Sequence, residues 1–580
     1  MKSSVTQPPA HNGNRRTFFK SVLATAALVP FQSKAATLAS NARYRQRPPL
    51  LGPGKRVAFA SGSVADPAAR QTAALSFRQK AANFQASKSV PVAVNNGDED
   101  LVPRYAGSFC KTLDLDGSCL PNPSDYQALV KACSSGAPSD FSAILRGSGK
   151  KLANPLAGYS YLLEGADPSC LYLPPAPGFS SAGMAADLVE LYWKAICRDV
   201  AFSDYPTSPL VRQACDELSS LSGYAGPSSN ETGLVTPGSI NRGLTPGDLV
   251  GPFLSQFLLK PIPVGSALVE QKYRTGLPGQ DYMTAYSEWV TVQQGSPIYR
   301  TELFDDTFRY IRNGRDLAQY FHYDFPYQAF LYAAQILFDQ RPETILNLNL
   351  DQVSPTSPYK KNLNQGSFVT WGLPHVQSLI GRVTTASLHA CWFQKWAIHR
   401  RIRPEMMAGR VHNMKTGADN HPIHPDLLNA KALDVVFQAN GTYLLPQAYV
   451  EGCPNHPSYP CGHTAIAGAC ATILKAFFDE NFLIAGAVTP SADGLSLIPF
   501  DDGGTALTLG NELNKLAANV AAGRDFAGVH YRSDCYQGNL LGEQVAIAIL
   551  QDEVNSFAEN FSGFQFTAMD GTKISIKPTK

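Results

Sequence analysis

Apolar residues recur three and four positions apart over most of this chain, and runs that alternate apolar with polar residues are few and short. Spacing of three and four puts apolar side chains on one face of a helix, whereas alternation marks strands. The pattern predicts helices over residues 65–86, 185–197 and 209–221. It strengthens in the second half. Residues 324–341 set Phe330, Ala333, Ala334, Ile336 and Leu337 on one buried face. Further long helices are predicted over 375–400, 464–479 and 534–554. Residues 222–250 are crowded with Gly, Ser, Pro and Thr and read as a long surface loop. No internal repeat is visible. The expected fold class is all-α, one large helical bundle with long Pro/Gly-rich loops. Its N-terminal helical part covers 55–350, and its C-terminal part, 351–580, carries the candidate chemistry.

A chain of 580 residues, 44% hydrophobic and 17% charged, can bury a large core. Its net charge of +2 gives no long-range attraction to nucleic acid or an anionic membrane. No apolar run of 18 residues follows the N-terminus, so no membrane span is expected in the mature form. Residues 1–36 differ from the rest. Arg15 and Arg16 lead through Phe18, Phe19 and Lys20 into a short apolar stretch, and small residues follow at Ala35 and Ala36. This reads as an export signal, with a disordered basic tail as the plain alternative. The paired arginines resemble a twin-arginine signal, which implies a periplasmic or secreted protein; a polar linker follows over 37–54. Eleven cysteines suit an oxidising compartment, and the odd count leaves at least one without an intramolecular partner. Their spacings match no zinc pattern and do not reveal their pairing.

Three segments carry the candidate chemistry. Lys395 and Arg403 stand eight residues apart, about two helical turns, and Pro404 is expected to end the helix at the arginine. A flexible point charge and a planar fork would then face one spot. Their neighbours His399, Arg400 and Arg401 read equally well as a solvated basic face. The second segment, Pro460-Cys461-Gly462-His463, is a tight turn feeding a helix. Its amides would point out of a helix N-terminus, a ready anion site. His463 is placed there to move a proton, unless it merely caps the helix. In the third segment Gly528 should break the helix between Arg524 and His530, so that both turn into one pocket. Asp534 reads as the N-cap of the last long helix. Cations converge at high cost unless an anion sits among them, so the set points to an oxyanion-binding active site.

The ordered set Lys395-x7-Arg403-Pro404, Pro460-x-Gly462-His463 and Arg524-x3-Gly528-x-His530-x3-Asp534 resembles the vanadium-dependent haloperoxidases, and among them the bromoperoxidase-like branch. Asn96 to Glu99, Arg312 to Ala318 and His322 to Asp324 extend the likeness over about residues 90–555. The resemblance implies a vanadate cofactor with His530 as the metal ligand. Lys395, Arg403, Arg524 and the Gly462 amide would neutralise the vanadate oxygens, and His463 would serve as acid–base. It implies oxidation of halide, bromide and iodide favoured, by hydrogen peroxide through a peroxovanadate to hypohalous acid. Lys395 would polarise the peroxide, and small organic acceptors would be halogenated downstream. Related enzymes associate, so a homo-oligomer is implied as well.

His456 matches a position where the bromoperoxidase-like branch has histidine, and would tune His463 or help place halide. The alternative is a surface histidine before a proline. Trp392 would wall the pocket, and Asp324 would orient His463 or Arg524. At Cys461 the sequence departs from the resemblance, since the family commonly has serine there. A thiol donates poorly and is open to oxidation by peroxide, so weaker vanadate binding or self-limiting turnover is expected. Two other functions use the same residues. One is a periplasmic acid phosphatase with a phosphohistidine at His530 and His463 as leaving-group acid. The other is an inactive oxyanion-binding protein disabled by Cys461, against which the presence of both histidines argues.

Overall fold

The structure, a computed structural model, describes residues 67–145, 149–229, 232–339, 352–501 and 506–579. The expected export signal and linker lie outside the described residues. The chain falls into two units, Met1–Phe77 and Arg78–Lys580. The described part of the first is the opening of helix α1 (Pro67–Ala86).

In the second unit, eleven further helices of ten or more residues are found among the described residues. They are α2 (Pro123–Ser135), α3 (Ala182–Cys197), α4 (Pro209–Ser220), α5 (Gly314–Tyr323) and α6 (Gln328–Phe338), then α7 (Leu373–Phe393), α8 (Pro404–Lys415) and α9 (Lys431–Asn440). The last three are α10 (Gly462–Phe477), α11 (Leu509–Phe526) and α12 (Arg532–Ser556). Side-chain caps start several of them: Ser181 accepts the Met184 amide at 3.1 Å, and Asn313 accepts that of Asp316 at 2.9 Å. Among the described residues, strands form four antiparallel pairs, of which the longest joins Phe564–Thr567 to Lys573–Ile576. The protein is mainly helical, as the periodicity predicts, and residues 222–229 and 232–250 contain no helix or strand.

Two predicted helices are interrupted. The stretch 324–341 is helical only from Gln328, because Pro326 drives Phe325 out of helical geometry and Asp324 is extended (φ −68°, ψ 150°). The expected core face is nonetheless buried: Phe330, Ala333, Ala334, Ile336 and Leu337 are all within the main apolar cluster. The stretch 375–400 is α-helical to Phe393. It then widens into a π-helical turn, Gln394–His399, and stops at Arg400 in the left-handed region (φ 39°).

Helix α10 forms the centre. Every one of its residues except His463 is buried, as expected for a helix apolar all round. It packs on α12 backbone to backbone: a Cβ on Gly542 would stand 1.8 Å from the Ala465 carbonyl oxygen, and one on Gly538 would stand 2.6 Å from that of Cys461. Helices α7 and α11 flank this pair, and α5 packs on α11. Among the described residues, no helix is long and apolar enough to cross a membrane.

Candidate active site

The first segment reaches the site by a different route from the one its spacing suggests. Lys395 lies in the π turn, where the Arg400 amide bonds back five residues to its carbonyl at 3.0 Å. Arg403 is extended (φ −78°, ψ 152°) and caps the start of α8, with Pro404 as the first residue of that helix. Pro404 thus begins a helix where it was expected to end one. The left-handed turn at Arg400, not a shared helical face, sends Lys395 and Arg403 to the same place. Both are fully buried. The Lys395 ammonium donates to the carbonyls of Pro457 and Ser458 at 2.7 and 2.8 Å.

The neighbours His399, Arg400 and Arg401 are also buried, which overturns the solvated basic face. Arg400 forks onto Glu99. Arg401 donates to Asp534 at 2.7 Å and Asp187 at 3.1 Å, and lies 4.1 Å over the Tyr531 ring. It is a structural brace that reading from sequence set aside.

The second segment is a loop pinned from several sides. Glu405 accepts the Cys453 amide at 2.8 Å, the Arg401 carbonyl accepts that of Ser458 at 3.0 Å, and Asn455 donates to Thr112 at 2.8 Å. His456 is buried, not a surface residue. Its ring lies 4.7 Å from that of Trp392, and its Nδ1 accepts from Arg403 Nη2 at 2.8 Å. Trp392 also stands over Gly462, where an added Cβ would meet its ring at 3.4 Å. Cys461 is the N-cap of α10 but makes no side-chain cap bond. Its thiol instead meets the His530 ring and the thiol of Cys535. The amides of Gly462 and His463 open α10 with no carbonyl upstream in the helix to accept them. His463 keeps 27% of its side chain exposed and sets Nε2 3.6 Å from Asp324 Oδ1, so the expected pairing of Asp324 falls on His463.

In the third segment α11 ends at Phe526 and Gly528 turns the chain at φ +80°, as the sequence suggests. Arg524 donates to the Phe321 carbonyl at 2.8 Å and to the Tyr449 hydroxyl at 3.2 Å, while its buried Nε has no partner among the described residues. Tyr449 is held in turn by His322, stacked on it at 3.8 Å. The donor atoms of His322, Glu302 and Glu451 lie within 4.8 Å of one another. Asp534 is not the N-cap of α12. Tyr531 holds that position, and Asp534, three residues in, accepts its amide at 3.2 Å.

Asp534 organises the centre. One oxygen receives Arg401; the other receives Ser458 and, at 3.0 Å, His530 Nδ1. Burial works against the carboxylate, but Arg401 and His530 hold its pKa well below the usual range. An ionised carboxylate can only accept, so the His530 proton sits on Nδ1 and the Nε2 lone pair is left to accept. That lone pair accepts from Arg403 Nη1 at 3.1 Å. Burial lowers the pKa of His456, with Arg403 and Lys395 adding to it, so this ring is neutral. Burial brings Lys395 down to about 8. Three buried cations and an imidazole nitrogen that can only accept therefore gather at one place, with Asp534 already engaged by Arg401.

Comparison with known proteins places this arrangement. A family model described as the VCPO second helical-bundle domain matches residues 379–559. The vanadium-dependent bromoperoxidase of Corallina officinalis is 34% identical over 596 residues, covering 87% of this chain and 98% of the relative. That of Ascophyllum nodosum is 35% identical over 509 residues, covering 83% and 88%. The solved homohexameric structure of the second vanadate-dependent bromoperoxidase from Ascophyllum nodosum superposes with a TM-score of 0.84 at 30% identity, covering 93% of this chain and 96% of that one. The chain belongs to the vanadium-dependent bromoperoxidases.

The residues present fit a vanadate ion. The unprotonated Nε2 of His530 is a metal ligand of the usual kind, its other nitrogen given to a carboxylate. The unpartnered Arg524 Nε and the first amides of α10 are donors in need of an oxyanion.

Proposed function

We propose that the protein oxidises halide, bromide in preference, with hydrogen peroxide at a vanadate held by His530 Nε2, and that hypohalous acid passes to small organic acceptors. The observation that carries the residue assignment is the His530 ring itself. Its Nδ1–H donates to Asp534, and its unprotonated Nε2 faces Arg403. Bound there, vanadate supplies a Lewis acid that activates peroxide toward halide without a change of oxidation state. Arg403, Lys395, Arg524 and the Gly462 amide are assigned to its oxygens, where fixed positive charge in a dry site stabilises charge that develops during reaction. Lys395, whose pKa burial lowers to about 8 so that it stays largely protonated at neutral pH, is also placed to polarise peroxide. His463, the exposed residue of α10 with Asp324 behind it, is assigned to take and return the peroxide proton. The contacts of His456 run to Arg403 and Trp392, and its neutral ring fixes the angle of the arginine fork.

The bromide preference rests on the relatives' names, and a homo-oligomer is proposed because one of those relatives is homohexameric. Export to the periplasm or the cell exterior is proposed from the paired arginines and apolar stretch of residues 1–36.

With added orthovanadate, bromide and hydrogen peroxide, the purified protein is expected to brominate an indicator dye, and to hydrolyse para-nitrophenyl phosphate only at background without vanadate. Phosphate hydrolysis in the absence of vanadate-dependent bromination would favour the phosphatase instead. Cys461→Ser is expected to tighten vanadate binding by on the order of tenfold, the worth of one better hydrogen bond to a charged group. Titration with orthovanadate checks this, and unchanged or weaker affinity counts against a donor role for residue 461.

A further inference from the structure

Cys461 touches more than the oxyanion pocket. Its thiol meets that of Cys535, one residue past Asp534 on the first turns of α12, and both side chains are buried. The backbones are joined at the same point, since the Cys461 amide donates to the Asp534 carbonyl at 3.0 Å. The missing side chains of Gly538 and Gly542 let α10 and α12 approach this closely. A disulfide asks for Cα atoms roughly 4.4–6.8 Å apart, and this shared backbone bond keeps the two cysteine-bearing segments in direct contact. On its other side Cys535 donates to Asp525 Oδ1 at 3.3 Å, which gives its proton an acceptor.

We propose that Cys461 and Cys535 form a peroxide-responsive thiol pair in which Cys461 is oxidised at the pocket and Cys535 resolves it to a reversible disulfide. The inference rests on the reading that hydrogen peroxide enters this pocket. In the first step the Cys461 sulfur attacks one peroxide oxygen. The S–O bond forms, the O–O bond breaks, and the departing hydroxide takes the thiol proton as water. In the second step the Cys535 sulfur attacks the sulfenic sulfur. The S–S bond forms, the S–O bond breaks, and hydroxide leaves with the Cys535 proton, passed through Asp525, as a second water. One peroxide is reduced by two electrons and two thiols are oxidised. The bridged Cys461 sulfur has no proton to offer an oxyanion and is drawn off His530 toward α12, so the pocket binds vanadate less well until it is reduced. Without Cys535, the sulfenic acid is exposed to a further peroxide and passes to sulfinic and sulfonic acids, which thiols do not reverse.

The test uses the full chain freed of vanadate. It is treated with a few equivalents of hydrogen peroxide, alkylated, digested and weighed by mass spectrometry, and orthovanadate binding is titrated before and after dithiothreitol. The native protein should yield a peptide linking Cys461 to Cys535 and lose on the order of tenfold in vanadate affinity, fully recovered on reduction. Cys535→Ser should yield no such peptide, carry Cys461 as sulfinic or sulfonic acid, and fail to recover. Cys461→Ser should keep its vanadate affinity through the same treatment. Two free, alkylatable thiols after peroxide, or equal recovery in Cys535→Ser, would overturn the pair. The linked peptide is read without halide oxidation, so its outcome is separate from that of the bromination assay.

Discussion

His530→Ala is expected to lower vanadate affinity by more than about 100-fold and to abolish bromide oxidation with it. Losing a partner of a metal ligand costs about 10–100-fold in affinity, and losing the ligand itself should exceed that. The fold should survive the change. Asp534 keeps Arg401, Ser458 and the Tyr531 amide when the imidazole is removed, so its charge stays compensated. His463→Ala provides the contrast. His463 stands at the open end of α10 against Asp324, and its loss should leave vanadate affinity within a few-fold while turnover falls by roughly 10²–10⁴, the range for a proton-transfer group. Orthovanadate titration of both variants, read beside their bromination rates, checks the division. Native-like vanadate binding by His530→Ala would sink the ligand assignment.

Much of this site was legible in the sequence because its residues lie in short local signatures. Gly528 marks the turn between Arg524 and His530, and Gly462 marks the start of α10, each through a backbone property that sequence carries directly. The helices were legible for a similar reason: their apolar spacing reports a buried face whatever that face meets. What failed was geometry set by departures from the regular helix. A π turn followed by one left-handed residue is invisible to a period of 3.6, so Lys395 and Arg403 were placed together for the wrong reason. Burial of Arg401 was equally hidden, because its partners Asp534 and Asp187 lie 133 and 214 residues away. Cys535 was missed on the same ground. Its significance exists only once α10 and α12 are packed without side chains between them, and no local motif announces that.

The same network makes Asp534→Asn the more revealing of the two large perturbations. The substitution keeps shape and removes charge, leaving Arg401 with Asp187 alone as ionic partner at 3.1 Å. Breaking a buried pair by removing one charge costs about 3–5 kcal/mol, so the melting temperature should drop by several degrees. The second effect is chemical. A carboxylate can only accept and therefore dictates the proton on His530 Nδ1, whereas a carboxamide can present its NH₂ to that nitrogen and shift the proton to Nε2. A protonated Nε2 has no lone pair for a metal. Vanadate affinity should therefore fall about 10–100-fold, as for other changes behind a metal-bound histidine. Arg401→Lys separates the two effects, because it weakens the buried pairing but leaves the Asp534 carboxylate facing His530. It should lose stability, since an ammonium cannot reproduce the guanidinium fork, yet hold vanadate nearly as well as the native protein. If both variants lost affinity in proportion to their loss of stability, Asp534 would be a structural anchor only, and the tautomer of His530 would be set by something else in the pocket.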